Sequence, residues 1–168
     1  DSKGYEYKAK LTILKEAART LNYLTENNLL QYADLEKKVE DIHSSYDRTG
    51  KELKGVEARL REVQPLIKNI SNYQRLKPVY DAFQKAKDKP GFKAKHEAEL
   101  VIFEAARSTL LAMQGDEKLP SLKTLKAEQA QLFEEQERLY AERNRLKKEA
   151  KQIETIKSNV DTFLAPSA

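Results

Sequence analysis

The apolar-face positions between Leu35 and Ile70 alternate in steps of four and three without a miss: Leu35, Val39, Ile42, Tyr46, Thr49, Leu53, Val56, Leu60, Val63, Ile67 and Ile70. That spacing holds a narrow stripe on one side of a helix and predicts a coiled-coil seam. A second run answers it near the C-terminus, where Leu125, Leu132, Leu139, Leu146, Ile153 and Val160 recur every seven residues. A sevenfold period under-winds helices into a left-handed pair.

Around these runs the pattern predicts further helices. The first spans about Tyr5 to Glu26, with Leu11, Leu14, Ala18, Leu21 and Leu24 or Thr25 on one face, and Asn27-Asn28 supplies its stop. The short link that follows predicts an antiparallel neighbour, folded back on the start of the long helix. That long helix begins near Tyr32 and keeps its seam to Ile70 and Tyr73. Pro78 then removes a backbone donor and disfavours helix at Lys77, which predicts a break at residues 74 to 78. Pro65 lies inside the seam, costs about 3 kcal/mol in a helix interior, and predicts a kink. A short helix from Val79 to about Ala86 leads to the breaker Asp88-Lys89-Pro90-Gly91. Another runs from Lys93 to about Met113, with Leu100, Phe103, Ala106, Leu110 and Met113 on one face. After the loop Gln114 to Pro120, Ser121 is placed to cap a final helix from Leu122 to Leu164.

Length matching predicts the topology. Residues 32 to 74 and 122 to 164 have equal reach, about 60 Å at 1.5 Å per residue. The expected fold is a single all-α domain over residues 1–168: a long antiparallel coiled-coil stalk, a small helical-hairpin head at residues 79–113, and an N-terminal bracing helix at residues 5–28. Pairing middle with middle sets Leu53 and Leu60 against the Leu139 to Leu146 region. The wider stripe Ile153, Ile156, Val160, Phe163 and Leu164 fits a helix with two neighbours, while Gln129, Gln136 and Arg143 take seam positions that a two-helix rod leaves partly wet.

Composition narrows the chemistry. Ala, Glu, Lys, Leu and Arg dominate, as in long helices. The chain has no Cys, so disulfides and thiolate metal sites are excluded. His43 and His96 stand far apart without partners at metal-binding spacing, and no Gly-rich phosphate loop or nucleophile elbow occurs. These features predict no metal, no cofactor and no catalytic residue in this chain. No apolar run reaches the roughly 18 residues of a membrane span and no leader pattern opens the chain, so the expectation is a cytoplasmic bacterial protein without a membrane partner. The chain starts Asp1-Ser2-Lys3, and Met113 is its only Met, which reads as a fragment of a longer protein.

Charge supplies the functional lead. Between Arg75 and Lys95 lie seven basic residues, Arg75, Lys77, Lys85, Lys87, Lys89, Lys93 and Lys95, against Asp81 and Asp88, a balance of +5. The remaining 24 basic and 25 acidic residues balance to −1. Tyr73, Tyr80, Phe83 and Phe92 are interleaved with the basic residues. Lysines for phosphates with Tyr80 among them for a base make a candidate nucleic-acid-binding set. The plainer alternative is a solvated lysine face over aromatics that form the small core of the head. A second cluster, Arg143, Arg145, Lys147, Lys148 and Lys151, is interrupted by Glu142 and Glu149 and reads as an exposed helix face.

The string Thr20-Leu21-Asn22-Tyr23-Leu24-Thr25-Glu26-Asn27-Asn28-Leu29, with Tyr32-Ala33-Asp34-Leu35 after it, resembles the C-terminal helical region of MobA/VirD2-type relaxases, the mobilization nucleases of Firmicutes conjugative elements. Similar strings follow in order: Ile70 to Tyr73, Lys95 to Leu100 with Ala105-Ala106, Lys118 to Lys123, and Asn159-Val160-Asp161. The resemblance covers Tyr5 to Leu164. Two positions depart from the family pattern: Tyr7, where Trp is expected, and Pro65, which interrupts a helix. The family's Tyr nucleophile and His-held metal belong to a separate N-terminal domain, and no catalytic residue maps onto this chain. The resemblance implies a non-catalytic accessory domain that binds DNA near a transfer origin or docks other conjugative-transfer proteins during mobilization. The alternative is a structural coiled-coil module for protein–protein interaction or self-association.

Overall fold

A computed structural model describes residues 2–115 and 117–166, and these are all-α. Asp1, on which the chain-start reading rests, and Asp116 of the Gln114–Pro120 loop lie outside the described residues. The helices are α1 (Ser2–Glu26), α2 (Tyr32–Lys85), α3 (Lys89–Lys95), α4 (Glu97–Gln114) and α5 (Leu122–Leu164). The chain divides into two compact units, Asp1–Glu52 with Leu139–Ala168, and Leu53–Arg138. This division falls inside α2 and α5, not at residues 74 to 79 where a head was expected to begin.

In the first unit Leu29, Leu35, Ile42, Ile153 and Ile156 form the core, with Tyr23, Leu24, Val39, Ala150 and Val160 packed against it. Here α2 and α5 run antiparallel: Tyr32 donates its hydroxyl to Asp161 at 2.7 Å, and Arg143 donates to the Tyr46 carbonyl at 3.0 Å. Helix α1 ends where Asn27-Asn28 predicts. Asn28 adopts φ 56°, Asn28 N–H bonds to the Thr25 carbonyl at 3.3 Å and Leu29 N–H to that of Leu24 at 2.8 Å. This left-handed cap satisfies carbonyls that the helix would otherwise leave orphaned, and it drops Leu29 into the core.

The face of α1 that packs is not the predicted one. Thr20, Tyr23 and Leu24 turn inward, while Leu11, Leu14, Ala18 and Leu21 are exposed. At the other end of this unit Phe163 and Leu164 are also exposed, so the wider stripe on α5 ends with Ile156 and Val160.

In the second unit the core is Val63, Leu66, Ile70, Leu110 and Leu125, with Ile67, Tyr73, Leu122 and Leu132 against it. Arg59 bonds Glu128 bidentately through one guanidinium edge, Nε at 2.5 Å and Nη2 at 3.1 Å, so α2 and α5 are antiparallel here too. Tyr46 opposite Arg143 and Arg59 opposite Glu128 correct the middle-with-middle register. Helices of equal length were its premise, and α2 does not end near residue 74. Leu53 and Leu60 are nevertheless buried, and Gln129, Gln136 and Arg143 are half-buried as their seam positions predict.

The break at residues 74 to 78 does not occur: α2 runs through Pro65 and Pro78 to Lys85. Each proline removes one intrahelical bond, a local cost of about 3 kcal/mol that tertiary packing can offset. Around Pro78 that packing is visible. Tyr73 and Tyr80, two turns apart, stack on opposite sides of the break point against one ring, Phe103 of α4, at 5.1 and 4.6 Å. Leu76 between them is 2% exposed. The expected breaker at Asp88–Gly91 is likewise the start of a helix, since Asp88 caps α3 and Pro90 sits in its first turn, where a missing N–H costs nothing. The helix expected from Lys93 to Met113 is split at His96, whose φ −122° and ψ 24° end α3 and begin α4. On α4, Leu100, Phe103, Ala106 and Leu110 are buried and Met113 is exposed. Ser121 caps α5 as predicted, its hydroxyl accepting from Thr124 N–H at 3.1 Å.

Candidate nucleic-acid interface

The basic segment lies wholly in the second unit, on the end of α2, the link Ala86–Asp88 and α3. Asp88 accepts from Gly91 N–H at 3.1 Å, which closes the first turn of α3. A Cβ on Gly91 would stand 2.2 Å from Asp88 Oδ2, so the cap needs glycine there. Phe92 on α3 then reaches back to Phe83 on α2 at 6.1 Å and stacks on His96 at 4.4 Å. This column commits the aromatic side of the segment to packing. Lys85, Lys87, Lys89, Lys93 and Lys95 are exposed and make no ion pair among the described residues.

The remaining members of the predicted set are placed differently. Lys77 is paired with Asp81 at 2.9 Å, and that hydrogen bond raises the affinity of its ammonium for the proton. Arg75 is exposed and donates to Asn72 at 3.3 Å. Tyr80 is half-buried, its ring on Phe103 and its hydroxyl accepting from Gln84 at 3.0 Å and Arg107 at 3.3 Å. A base would have to displace those contacts, so Tyr80 is a packing residue and not an open stacking platform. His96, the boundary residue between α3 and α4, meets Glu99 at 3.2 Å, the i,i+3 neighbour on the first turn of α4.

A groove of about 370 Å³ lies beside the segment, lined by Tyr80, Phe83, Lys93, Glu97, Leu100, Val101 and Glu104. Glu97 and Glu104 there disfavour a phosphate path, which leaves the lysine face itself as the place for an anion.

The second basic cluster resolves into separate roles in the first unit. Arg143 lies over the Tyr46 ring at 4.0 Å, and Arg145 is held by Glu142 at 2.6 Å and Glu149 at 2.9 Å. Only Lys147, Lys148 and Lys151 of that cluster are exposed without an ion pair among the described residues. Sequence spacing alone did not separate packed arginines from free lysines, because it carries no information on which acidic side chain the next turn or the opposite helix supplies.

Among the described residues no group of three His, Asp or Glu side chains is arranged to hold a metal ion, and no helix is long and apolar enough to cross a membrane. Comparison with protein-family models, with curated proteins and with solved structures finds no match.

Proposed function

We propose that this chain is a non-catalytic helical domain that binds nucleic acid through the backbone phosphates, as an accessory part of a relaxase-type mobilization protein. The observation that carries the reading is the run Lys85, Lys87, Lys89, Lys93 and Lys95, exposed and unneutralised, against a molecule whose remaining charge is balanced. Five cations that make no ion pair among the described residues attract a polyanion and release its counterions, and this mode reads charge, not sequence. Packing of Tyr73, Tyr80, Phe83 and Phe92 removes base stacking from the proposal. The relaxase context rests on the resemblance of the strings from Thr20 to Asp161. The transfer-origin DNA and the transfer-complex partners are part of the same proposal.

The test is a salt titration of binding to duplex and single-stranded DNA. The quadruple change of Lys85, Lys87, Lys89 and Lys93 to Ala should weaken binding and flatten the slope of log affinity against log salt by up to about 0.9 per lost contact on duplex and about 0.7 on single strands. The matched control changes Lys126, Lys147, Lys148 and Lys151, also exposed. Arg143 and Arg145 are unsuited to it because both are bonded into the fold. Equal losses from both sets mean that net charge alone acts, and absence of binding at low salt refutes the reading.

A further inference from the structure

Helix α1 carries a seam that no described residue covers. Tyr7, Leu11, Leu14, Ala18 and Leu21 follow steps of four and three, the spacing of a coiled-coil stripe. All are exposed, Tyr7 by 70%, Leu14 by 66% and Leu21 by 58%. The reason is geometric. α1 meets α5 where Asn159 donates to Thr20 at 3.1 Å, and deeper in the unit Tyr23 feels the charge of Glu149, so the two helices run in opposite senses and α1 shares the direction of α2 instead of folding back antiparallel on it as the short link predicts. α5 ends five residues beyond Asn159, at Leu164, so the N-terminal half of α1 passes the end of α5. Every described residue from Ser2 to Lys15 is exposed. A bare helix of this length is marginal in water, and a stripe this regular exceeds the scattered apolar exposure of ordinary surfaces.

The flanks of the stripe state the partner's charge. Lys8, Lys10 and Lys15 occupy the positions that border a seam with Tyr7, Leu11 and Leu14 at its centre, and they make no ion pair among the described residues. A second copy is a poor match: a parallel pair sets Lys10 against Lys15 of the other chain, and an antiparallel pair centred on Leu11 sets Lys8 against Lys15. A bilayer would not require the four-three spacing. We propose that the α1 stripe docks an amphipathic helix of another protein, with apolar residues at the same spacing and Asp or Glu at its flanking positions. The surface is separate from the lysine run of residues 85 to 95 and does not depend on the nucleic-acid reading. A seam of five positions offers little area after association costs, so the affinity is roughly micromolar to tens of micromolar.

The test uses the whole chain and two designed four-heptad peptides with Leu and Ile in the seam, one with Glu at all flanking positions and one with Lys. Binding is read by fluorescence anisotropy. The Glu peptide should bind, and the Lys peptide should bind at least about tenfold more weakly. The double change Leu11→Asp with Leu14→Asp should abolish binding of the Glu peptide, whereas Ile13→Asp, 62% exposed but off the stripe, should leave it intact. Because the altered positions are exposed, melting of the packed core should not change, and Ile13→Asp serves as the control for any loss of helix in α1 itself. Replacing Lys8, Lys10 and Lys15 by Glu should reverse the peptide preference, an outcome no folding defect can imitate. The proposal is overturned by equal binding of both peptides, by equal loss from Ile13→Asp, by a dimer of the chain that competes with the peptide, or by binding to anionic phosphatidylserine vesicles without binding to the Glu peptide.

Discussion

Arg143 closes over Tyr46: its guanidinium lies 4.0 Å from the ring centre while its Nη1 donates to the Tyr46 main-chain carbonyl at 3.0 Å. The contact needs room on the next turn of α2, and Gly50 provides it, since a Cβ there would stand 2.1 Å from Arg143 Nη1. A glycine in a helix interior costs about 1 kcal/mol relative to alanine. A Cβ at Gly50 would therefore require the Arg143 guanidinium to shift.

The neighbouring Gly55 gives the comparison, because a Cβ there meets nothing within 4 Å. Gly55→Ala should stabilise the protein by about 0.5–1 kcal/mol. Gly50→Ala should not: the same gain is offset by displacing Arg143 from a cation–π contact and a charge-assisted hydrogen bond, together about 1–3 kcal/mol. Urea unfolding of the two variants decides it. Equal stabilisation would show that Arg143 moves aside freely.

Phe103 packs against α2 on both sides of Pro78. Phe103→Ala should cost about 3–5 kcal/mol, as for a fully buried aromatic residue. Hydrogen exchange should locate the damage, with amide protection lost from Val79 to Lys85 before it is lost from Leu66 to Tyr73. A uniform loss along α2 would mean that the Tyr73–Phe103–Tyr80 stack has no special part in carrying the helix past the proline. Leu60→Ala, at a site 5% exposed, should cost about 2–5 kcal/mol and leave that protection pattern unchanged.

The Arg59–Glu128 pair makes stability depend on acid. The hydrogen bond from Arg59 holds the Glu128 carboxyl below its usual value of 4.5, with burial opposing it. A depressed carboxylate contributes stability above its unfolded pKa and loses it as pH falls through the folded one. Both side chains keep substantial exposure, 42% and 32%, so solvent screens the pair. Glu128→Gln should therefore cost no more than about 1 kcal/mol at neutral pH, and the difference should shrink as pH falls below the usual carboxylate range. A difference that is unchanged between the two conditions would assign the effect to packing.

The cap of α3 makes a prediction about the lysine face it carries. Asp88→Ala removes the side-chain acceptor for Gly91 N–H and should cost about 0.5–2 kcal/mol. Circular dichroism should show a loss of about one to two turns, and the salt dependence of DNA binding should be preserved while affinity falls. If Asp88→Ala instead tightens binding, the removed negative charge outweighs the ordering of the lysines.

Local chemistry was legible in this sequence wherever a residue acts on its own backbone or on its helix neighbours. The all-α class, the Asn27-Asn28 stop, the Ser121 cap, the bounds of the final helix and the burial of Leu125, Leu139, Leu146 and Ile153 all follow from spacing and capping. The exposure of the lysines between Lys85 and Lys95 was legible for the same reason, since a charged run with few carboxylates has no local partner. Tertiary structure decided what depends on groups distant in sequence. Pro78 reads locally as a break, yet α2 continues through it with Tyr73 and Tyr80 packed on the Phe103 ring of another helix. Tyr80 reads as a base platform until Phe103 and Arg107 occupy it. The α1 stripe reads as core until α5 ends at Leu164 and leaves it uncovered. In each case the backbone preference is worth at most a few kcal/mol and the packing of a distant side chain is worth as much, so the sequence determines which helices form while the partner of each face is set by the folded chain.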